Sequence, residues 1–295
     1  MRLALIVIFA LAACTSDEGD VHAPKVRAKT SRERPSMSVE GTTAEPAPPA
    51  PPPTLQELVD GGTHWRITTA HGPVHVWIPK GYDERRAETI VYVHGFYTHV
   101  DGAWTNYKLA TQFAASAINA MFIACEAPAS GAERVSWDSL ADLLAAVEKG
   151  IGRPWPKRRV VAIGHSGAWR TLLGWLDEPR IDTIVLVDAA YGEIEQYKAW
   201  ILGDEKRRLI DVGDDTRQWT DALHAQLPDT VVLDDFPSLD EGMPRNLQRA
   251  RIVYIKSKIG HMPLVTDGVA LPMLLRTLRA KRLVRQPLSE ILASP

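Results

Sequence analysis

The residues Gly164-His165-Ser166-Gly167-Ala168 are of types, and at a spacing, that could do covalent chemistry. A serine hydroxyl is a weak nucleophile until a base takes its proton, and it must also be thrust clear of the surrounding structure. A sharp turn does this at the cost of strained backbone angles on the serine. The residues two before and two after it then pack together, so both must be small, and Gly164 and Ala168 fill those places. The strand-like Val160-Val-Ala-Ile163 leads into this turn, and the helix-like Trp169-Arg-Thr-Leu-Leu-Gly-Trp-Leu176 leads out. Strand, turn and helix in that order are the setting a nucleophilic serine requires. Such a serine stands at the carboxyl edge of a sheet and at a helix start, where backbone N–H groups favour developing negative charge. His165 is adjacent, but the turn points it elsewhere, and it is expected to be a packed neighbour.

The elements that must hold this turn are legible on both sides of it. His64–Thr69 and Val74–Ile78 read as an antiparallel pair around His71-Gly72-Pro73. Short, fully apolar runs suited to the inside of a parallel sheet follow at Thr89–His94, Ala120–Cys125, Val160–Gly164, Thr183–Asp188, Arg208–Asp211 and Arg251–Lys256. Amphipathic stretches separate them, among them Ser139–Gly150, Trp169–Leu176 and Val269–Arg279. Alternating strands and helices predict an α/β fold with a mostly parallel central sheet and helices on both faces. Residues 55–295 should form this single domain, without internal repeats.

In these features the chain resembles the α/β-hydrolase superfamily over roughly His64 to Arg279. The usual final glycine of the serine turn is alanine here, a departure of one methyl group. A second motif agrees: the run ending at Val93 continues into His94-Gly95-Phe96-Tyr97, similar to the family's histidine-glycine oxyanion loop. The resemblance implies an oxyanion hole from the N–H groups of Phe96 and Gly167, where two preorganised donors would stabilise a tetrahedral intermediate. It also implies a base late in the chain, after the last core strand. Of nine histidines, His261 alone combines that position with a short loop preceded by glycine. The acid should follow the sixth or seventh core strand. Asp188 ends the sixth among apolar residues, where an unpaired carboxylate is costly. Asp214 and Asp215 follow the seventh in a glycine turn. Asp188 is preferred as the acid, and Asp214 is the alternative.

Other polar and aromatic residues read as structure. His94, His99 and Asp101 lack zinc-ligand spacing, and an exposed loop accounts for the last two. Glu126 ends the fourth core strand and is a candidate pocket-lining residue. Trp169, Trp175 and Trp200 fall at helical positions expected to face the core, whereas Trp104 and Trp137 are candidate pocket walls. No metal or cofactor is implied.

Ahead of the domain, Met1-Arg2 precedes an uninterrupted small or apolar run from Leu3 to Ala13. That run is too short to span a bilayer but suits a secretory signal. It ends Leu11-Ala12-Ala13-Cys14, which resembles the bacterial lipobox and implies cleavage after residue 13 and lipidation of Cys14. Thr15, rather than aspartate, follows the cysteine, which in enteric bacteria implies sorting to the outer membrane. Residues 14–54 lack hydrophobic periodicity and include Glu45-Pro-Ala-Pro-Pro-Ala-Pro-Pro-Pro53, so they are expected to be a disordered tether. With Cys14 acylated, Cys125 has no partner and reads as a buried small hydrophobe.

A formal net charge of -2 argues against a nucleic-acid partner. Only Glu193–Lys206 separates the sixth and seventh core strands, and Arg217–Ala250 is a modest excursion, so any lid is short and the site open. The expected activity is hydrolysis of a carboxylic ester through an acyl-enzyme on Ser166, on a small-molecule or cell-envelope substrate. An amidase, peptidase or acyltransferase shares the same first steps. A non-catalytic, lipid-anchored binding protein is the competing class.

Overall fold

The computed structural model describes residues 54–293. The expectations for residues 1–53, including the signal segment, Cys14 and the tether, lie outside them. Ten strands make one sheet: β1 (Thr54–Val59), β2 (Gly62–Ile67), β3 (Val74–Pro79), β4 (Glu88–Val93), β5 (Ala120–Cys125), β6 (Val160–His165), β7 (Ile181–Val187), β8 (Arg208–Gly213), β9 (Thr230–Leu233) and β10 (Ile252–Lys256). Their order is β1-β2-β3-β5-β4-β6-β7-β8-β10-β9. The wing β1-β2-β3 is antiparallel and meets β5 antiparallel, while the other pairs are parallel. The α/β architecture read from the sequence is thus the one observed.

The register decides where chemistry can gather. Val93 pairs with Gly164, His165 with Val187, Val187 with Val212, and Gly213 with Lys256. The carboxyl ends of β4, β6, β7, β8 and β10 therefore form one row, and the residues just beyond them share one edge.

Strands β3 to β8 are buried on both faces, hence their continuous apolar sequences. One face is covered by the helix Leu140–Ile151, whose Leu140, Leu143, Leu144 and Val147 recur at helical spacing and are all buried. Ser139 caps that helix through its side chain to the Asp142 N–H at 3.1 Å, and Gly152 ends it at φ +66°. The helices Val100–Asn106, Leu109–Ser116 and Ala270–Thr277 cover the other face.

Two strands were not anticipated. β1 is an exposed edge with no apolar alternation, and it takes in Thr54, the last residue assigned to the tether. β9 is only four residues long and lies inside the Arg217–Ala250 excursion, which extends the sheet instead of forming a cap. Glu193–Lys206 holds the single helix Ile194–Gly203, and the helix expected at Val269–Arg279 ends at Thr277. Cys125 is free and fully buried, and burial pushes its thiol pKa up, as befits a packing residue.

Candidate active site

β6 ends at His165 and the chain turns at once through Ser166–Ala168 into the helix Trp169–Gly174. Ser166 has φ +54°, a left-handed conformation that costs a non-glycine residue roughly 1–2 kcal/mol. The turn closes because Gly164 is bare: a Cβ there would lie 2.5 Å from Leu172 Cδ1 and 3.0 Å from the Ala168 Cβ. The single methyl of Ala168 fits where a second would not. On the neighbouring loop, a Cβ on Gly95 would come within 2.7 Å of the Ser166 Cβ. Glycine at 95 thus lets the β4 loop run directly beside the serine.

The Phe96 ring lies against Gly167, and both residues line the same cavity as Ser166. The Phe96 N–H makes no hydrogen bond among the described residues. The loop is held from behind: His94 Nδ1 meets the Gly95 carbonyl at 2.7 Å, and His94 Nε2 meets Glu126 Oε1 at 2.8 Å. Glu126 also accepts from the Val100 N–H at 3.3 Å. Glu126 is therefore not a pocket wall but a brace under the loop. Tyr97, at φ +65°, donates its N–H to the Ala129 carbonyl at 2.8 Å, leaving its ring 95% exposed at the cavity rim.

Across the cavity, His261 follows β10 and places Nδ1 2.6 Å from Asp188 Oδ2. Asp188 is fully buried, at φ +49°, just past β7. Its Oδ1 accepts from the Asp214 N–H at 2.9 Å, the Thr216 N–H at 2.9 Å and the Thr216 hydroxyl at 2.6 Å, and its Oδ2 from the Asp215 N–H at 3.1 Å. Burial alone would raise its pKa, but the bonds from His261, Thr216 and the Asp214 backbone outweigh burial and hold it well below the carboxylate range. The bond to Asp188 raises the pKa of His261 in turn, against the opposing effect of burial.

The structure thus sets the imidazole against Asp188 and not against the carboxylate of Asp214, the alternative. Asp214 serves Asp188 through its backbone, and its carboxylate pKa is raised by burial and by its acidic neighbours. Asp215 is exposed, with Oδ2 3.9 Å from His261 Nδ1. Asp188, Asp215 and His261 hold ligand atoms within 4.8 Å of one another. The Asp188 oxygens, however, already accept bonds from N–H and O–H donors, which occupy the positions a cation would need.

His165 is the packed neighbour expected. Its Nε2 meets the His261 carbonyl at 3.1 Å, its ring lies 4.6 Å from the His261 ring, and burial lowers its pKa to about 3. A neutral His165 donates Nε2–H to that carbonyl and steadies the backbone that carries His261.

The cavity, about 670 Å³, is lined by Phe96, Tyr97, Tyr107, Trp169, Tyr191 and Met262 besides the polar residues above. Sequence reasoning missed most of these walls. Trp169 lines the cavity instead of the core, because the turn after Ser166 brings the first helical residue round to it. Trp104 is buried, stacked 4.5 Å from His64 and 4.6 Å from His75. Trp137 lines a different cavity beside His71. His99 caps the helix Val100–Asn106, and Asp101 binds Arg66 at 2.6 and 2.7 Å and His75 at 2.8 Å, so neither is in a free loop. Tyr191 is the most informative omission: it lines the same cavity as Ser166, and its ring stands edge-on to His261 at 6.5 Å and packs on Trp219.

Residues 90–292 match the model of the Alpha/beta hydrolase family. No curated protein matches the chain in sequence. Among solved structures, a feruloyl esterase module from Clostridium thermocellum, solved with sinapinate, is similar over 84% of this chain and 99% of its own, at 11% identity and a TM-score of 0.52. Fluorophosphonate-binding serine hydrolase F from Staphylococcus aureus aligns over 76% of this chain and 98% of its own, at 12% identity and a TM-score of 0.45. An S-formylglutathione hydrolase from Agrobacterium tumefaciens aligns over 75% and 98%, at 11% identity and a TM-score of 0.43.

Proposed function

The chain belongs to the alpha/beta hydrolase family, and from that premise we propose that it cleaves a carboxylic ester through an acyl-enzyme on Ser166. One observation carries the reading: a serine at φ +54° faces the same cavity as a histidine held at 2.6 Å by a buried carboxylate. His261 takes the Ser166 proton as Oγ attacks the ester carbonyl carbon. The carbonyl π pair moves onto oxygen, and the N–H groups of Phe96 and Gly167 receive that oxyanion. Collapse breaks the bond to the alcohol, which leaves with the proton from His261. Water, deprotonated by the same imidazole, then releases the acid and restores Ser166. Asp188 stays ionised throughout and fixes the His261 tautomer with Nδ1 protonated, so that Nε2 is the working atom.

The cavity walls argue for an ester with an apolar or aryl group. Phe96, Trp169, Tyr191 and Tyr107 offer ring faces, and the exposed Tyr97 extends them outward. The placement proposed for the whole protein is the bacterial envelope, lipid-anchored through Cys14. Incorporation of labelled fatty acid into the wild-type chain and its loss in Cys14→Ala supports that placement, and no incorporation into the wild type refutes it.

The reading is tested by fluorophosphonate labelling of the full chain beside Ser166→Ala and His261→Ala. Labelling lost in both variants, with folding intact, is the expected outcome. Failure of several probes to label the folded wild type would return the protein to the class of binding modules. Labelling that persists in Ser166→Ala would point to another serine.

A further inference from the structure

The net charge of -2 conceals a segregated basic region. Between Asp267 and Glu290 the sequence has no acid but carries Arg276, Arg279, Lys281, Arg282 and Arg285. The segment Gly242–Arg251 is also free of acids and carries Arg245, Arg249 and Arg251. The fold sets these two segments face to face. Two adjoining cavities of about 310 and 340 Å³ share Met243, Arg245, Arg276 and Arg282, and Arg285 lines the first.

Arg276 forms the base of this cleft at 6% exposure. It is fixed by bonds from Nε to the Ser116 carbonyl at 3.1 Å and from Nη2 to the Gln286 carbonyl at 3.0 Å. Burial, and then the neighbouring Arg282, lower its pKa to about 10. None of Arg245, Arg276, Arg282 and Arg285 makes an ion pair among the described residues. Two acids share the lining: Glu241, whose carboxylate accepts from the Ser238 hydroxyl at 3.0 Å, and Asp240, which makes no ion pair among the described residues. Four guanidinium groups against two carboxylates leave the lining with a net positive charge, and phosphate fits the planar donor forks of the exposed Arg245, Arg282 and Arg285.

The rest of the lining narrows the anion. Met243, Met273 and Leu288 give the cleft an apolar floor, and Val284, 42% exposed, stands between Arg282 and Arg285. Among the described residues no aromatic ring lines either cavity, so they offer no stacking platform of the kind a single-stranded nucleic-acid site uses. We propose that this cleft binds the phosphate headgroup of an anionic phospholipid and seats this end of the molecule on a bilayer.

The location gives the proposal a consequence. Asn119, just before β5, donates its N–H to the Lys281 carbonyl at 2.7 Å, and Leu283 donates to Ala117. Arg208, the first residue of β8, binds the carbonyls of Leu247, Ala250 and Thr277. The cleft therefore lies at the amino edge of the sheet, the end opposite Ser166, and shares no residue with its cavity. A molecule seated this way presents Ser166 away from the membrane, toward substrates in water or on a facing surface.

The test uses the full chain carrying Cys14→Ser, so that no acyl group on that residue contributes. Its co-sedimentation is measured with vesicles of phosphatidylcholine alone and of phosphatidylcholine mixed with phosphatidylglycerol. Binding to the mixed vesicles only, weakened roughly thirty-fold in Arg282→Gln/Arg285→Gln and by added salt, is the expected result. Fluorophosphonate labelling should be the same in both chains, which keeps this test separate from that of Ser166. Equal partition onto both vesicles, or no loss in the double variant, overturns the proposal. So does saturation by pyrophosphate without vesicle binding, which would mean a soluble phosphate ligand, or equally tight binding of a DNA oligomer.

Discussion

At the carboxyl edge of the sheet, His261 meets Asp188 at 2.6 Å and lies 4.6 Å from the ring of His165. On the antiparallel wing, His75 meets Asp101 at 2.8 Å and stacks on His64 at 5.1 Å, while His64 reaches Glu57 at 2.8 Å. The donor–acceptor chemistry is nearly the same in the two places. In the first, the carboxylate has backbone and hydroxyl donors but no competing cation, and the imidazole keeps a fifth of its side chain exposed toward a cavity. Its pKa rises. In the second, Arg66 already neutralises Asp101, Trp104 covers both rings, and burial drives His75 down to about 4. A histidine–carboxylate contact becomes a base or a rivet according to what else touches the carboxylate and whether a substrate can reach the ring.

Substitutions should separate the two clusters, beginning with the largest effect. Ser166→Ala or His261→Ala should lower kcat/KM on an aryl ester by on the order of 10⁴-fold or more with the chain still folded. His75→Gln should leave kcat/KM per folded molecule within about threefold and cost about 2–4 kcal/mol in urea unfolding. A collapse of kcat with full stability in His75→Gln would break the comparison.

Asp188→Asn should lower kcat by roughly 10³–10⁴-fold, since the wrong tautomer is then favoured. Asp214→Ala, which keeps the backbone donor, should cost less than about tenfold. A reversal of that order would make Asp214 the acid.

The pH dependences should run in different ranges. The base must be neutral, so kcat/KM should climb with pH through the raised His261 pKa, above the ordinary value of about 6.5. The same raised pKa means that the His261–Asp188 pair stabilises the fold fully below about pH 6.5, and that this contribution fades as pH rises through the folded-state value. For His75 the sign is opposite. Its folded pKa is depressed, so the unfolded chain takes up the proton first and stability falls from about pH 6.5 toward about pH 4. Urea midpoints across that range, steeper in the wild type than in His75→Gln, would bear this out.

Tyr191→Phe should lower kcat by about three- to thirtyfold for an alkyl ester and by less for a 4-nitrophenyl ester. A nitrophenolate needs little help to leave, so an equal loss on both substrates would limit Tyr191 to a packing role.

Much of the proposed machinery was legible because it is local. Ser166 announces itself by small neighbours two residues away, His94-Gly95 by its place after a strand, and His261 by following the last one. Asp188 was favoured because a carboxylate at a buried strand end needs partners, and the structure supplies them from residues 214–216. The cavity walls were not legible. Tyr97, Tyr107, Trp169, Tyr191 and Met262 come from loops after four different strands and converge only through the β4-β6-β7-β10 register. Trp104 was misplaced for the same reason, since its partners His64 and His75 face each other only once β2 and β3 are paired. β9 escaped notice because four residues inside a polar excursion carry no period to read.

The left-handed backbone of Ser166 has a consequence for how such a chain changes under selection. Glycine adopts φ +54° without penalty, so Ser166→Gly should raise thermal stability by about 1 kcal/mol while removing the hydroxyl. Lineages screened for robustness alone would drift toward that substitution. At this position, durability and activity are alternatives.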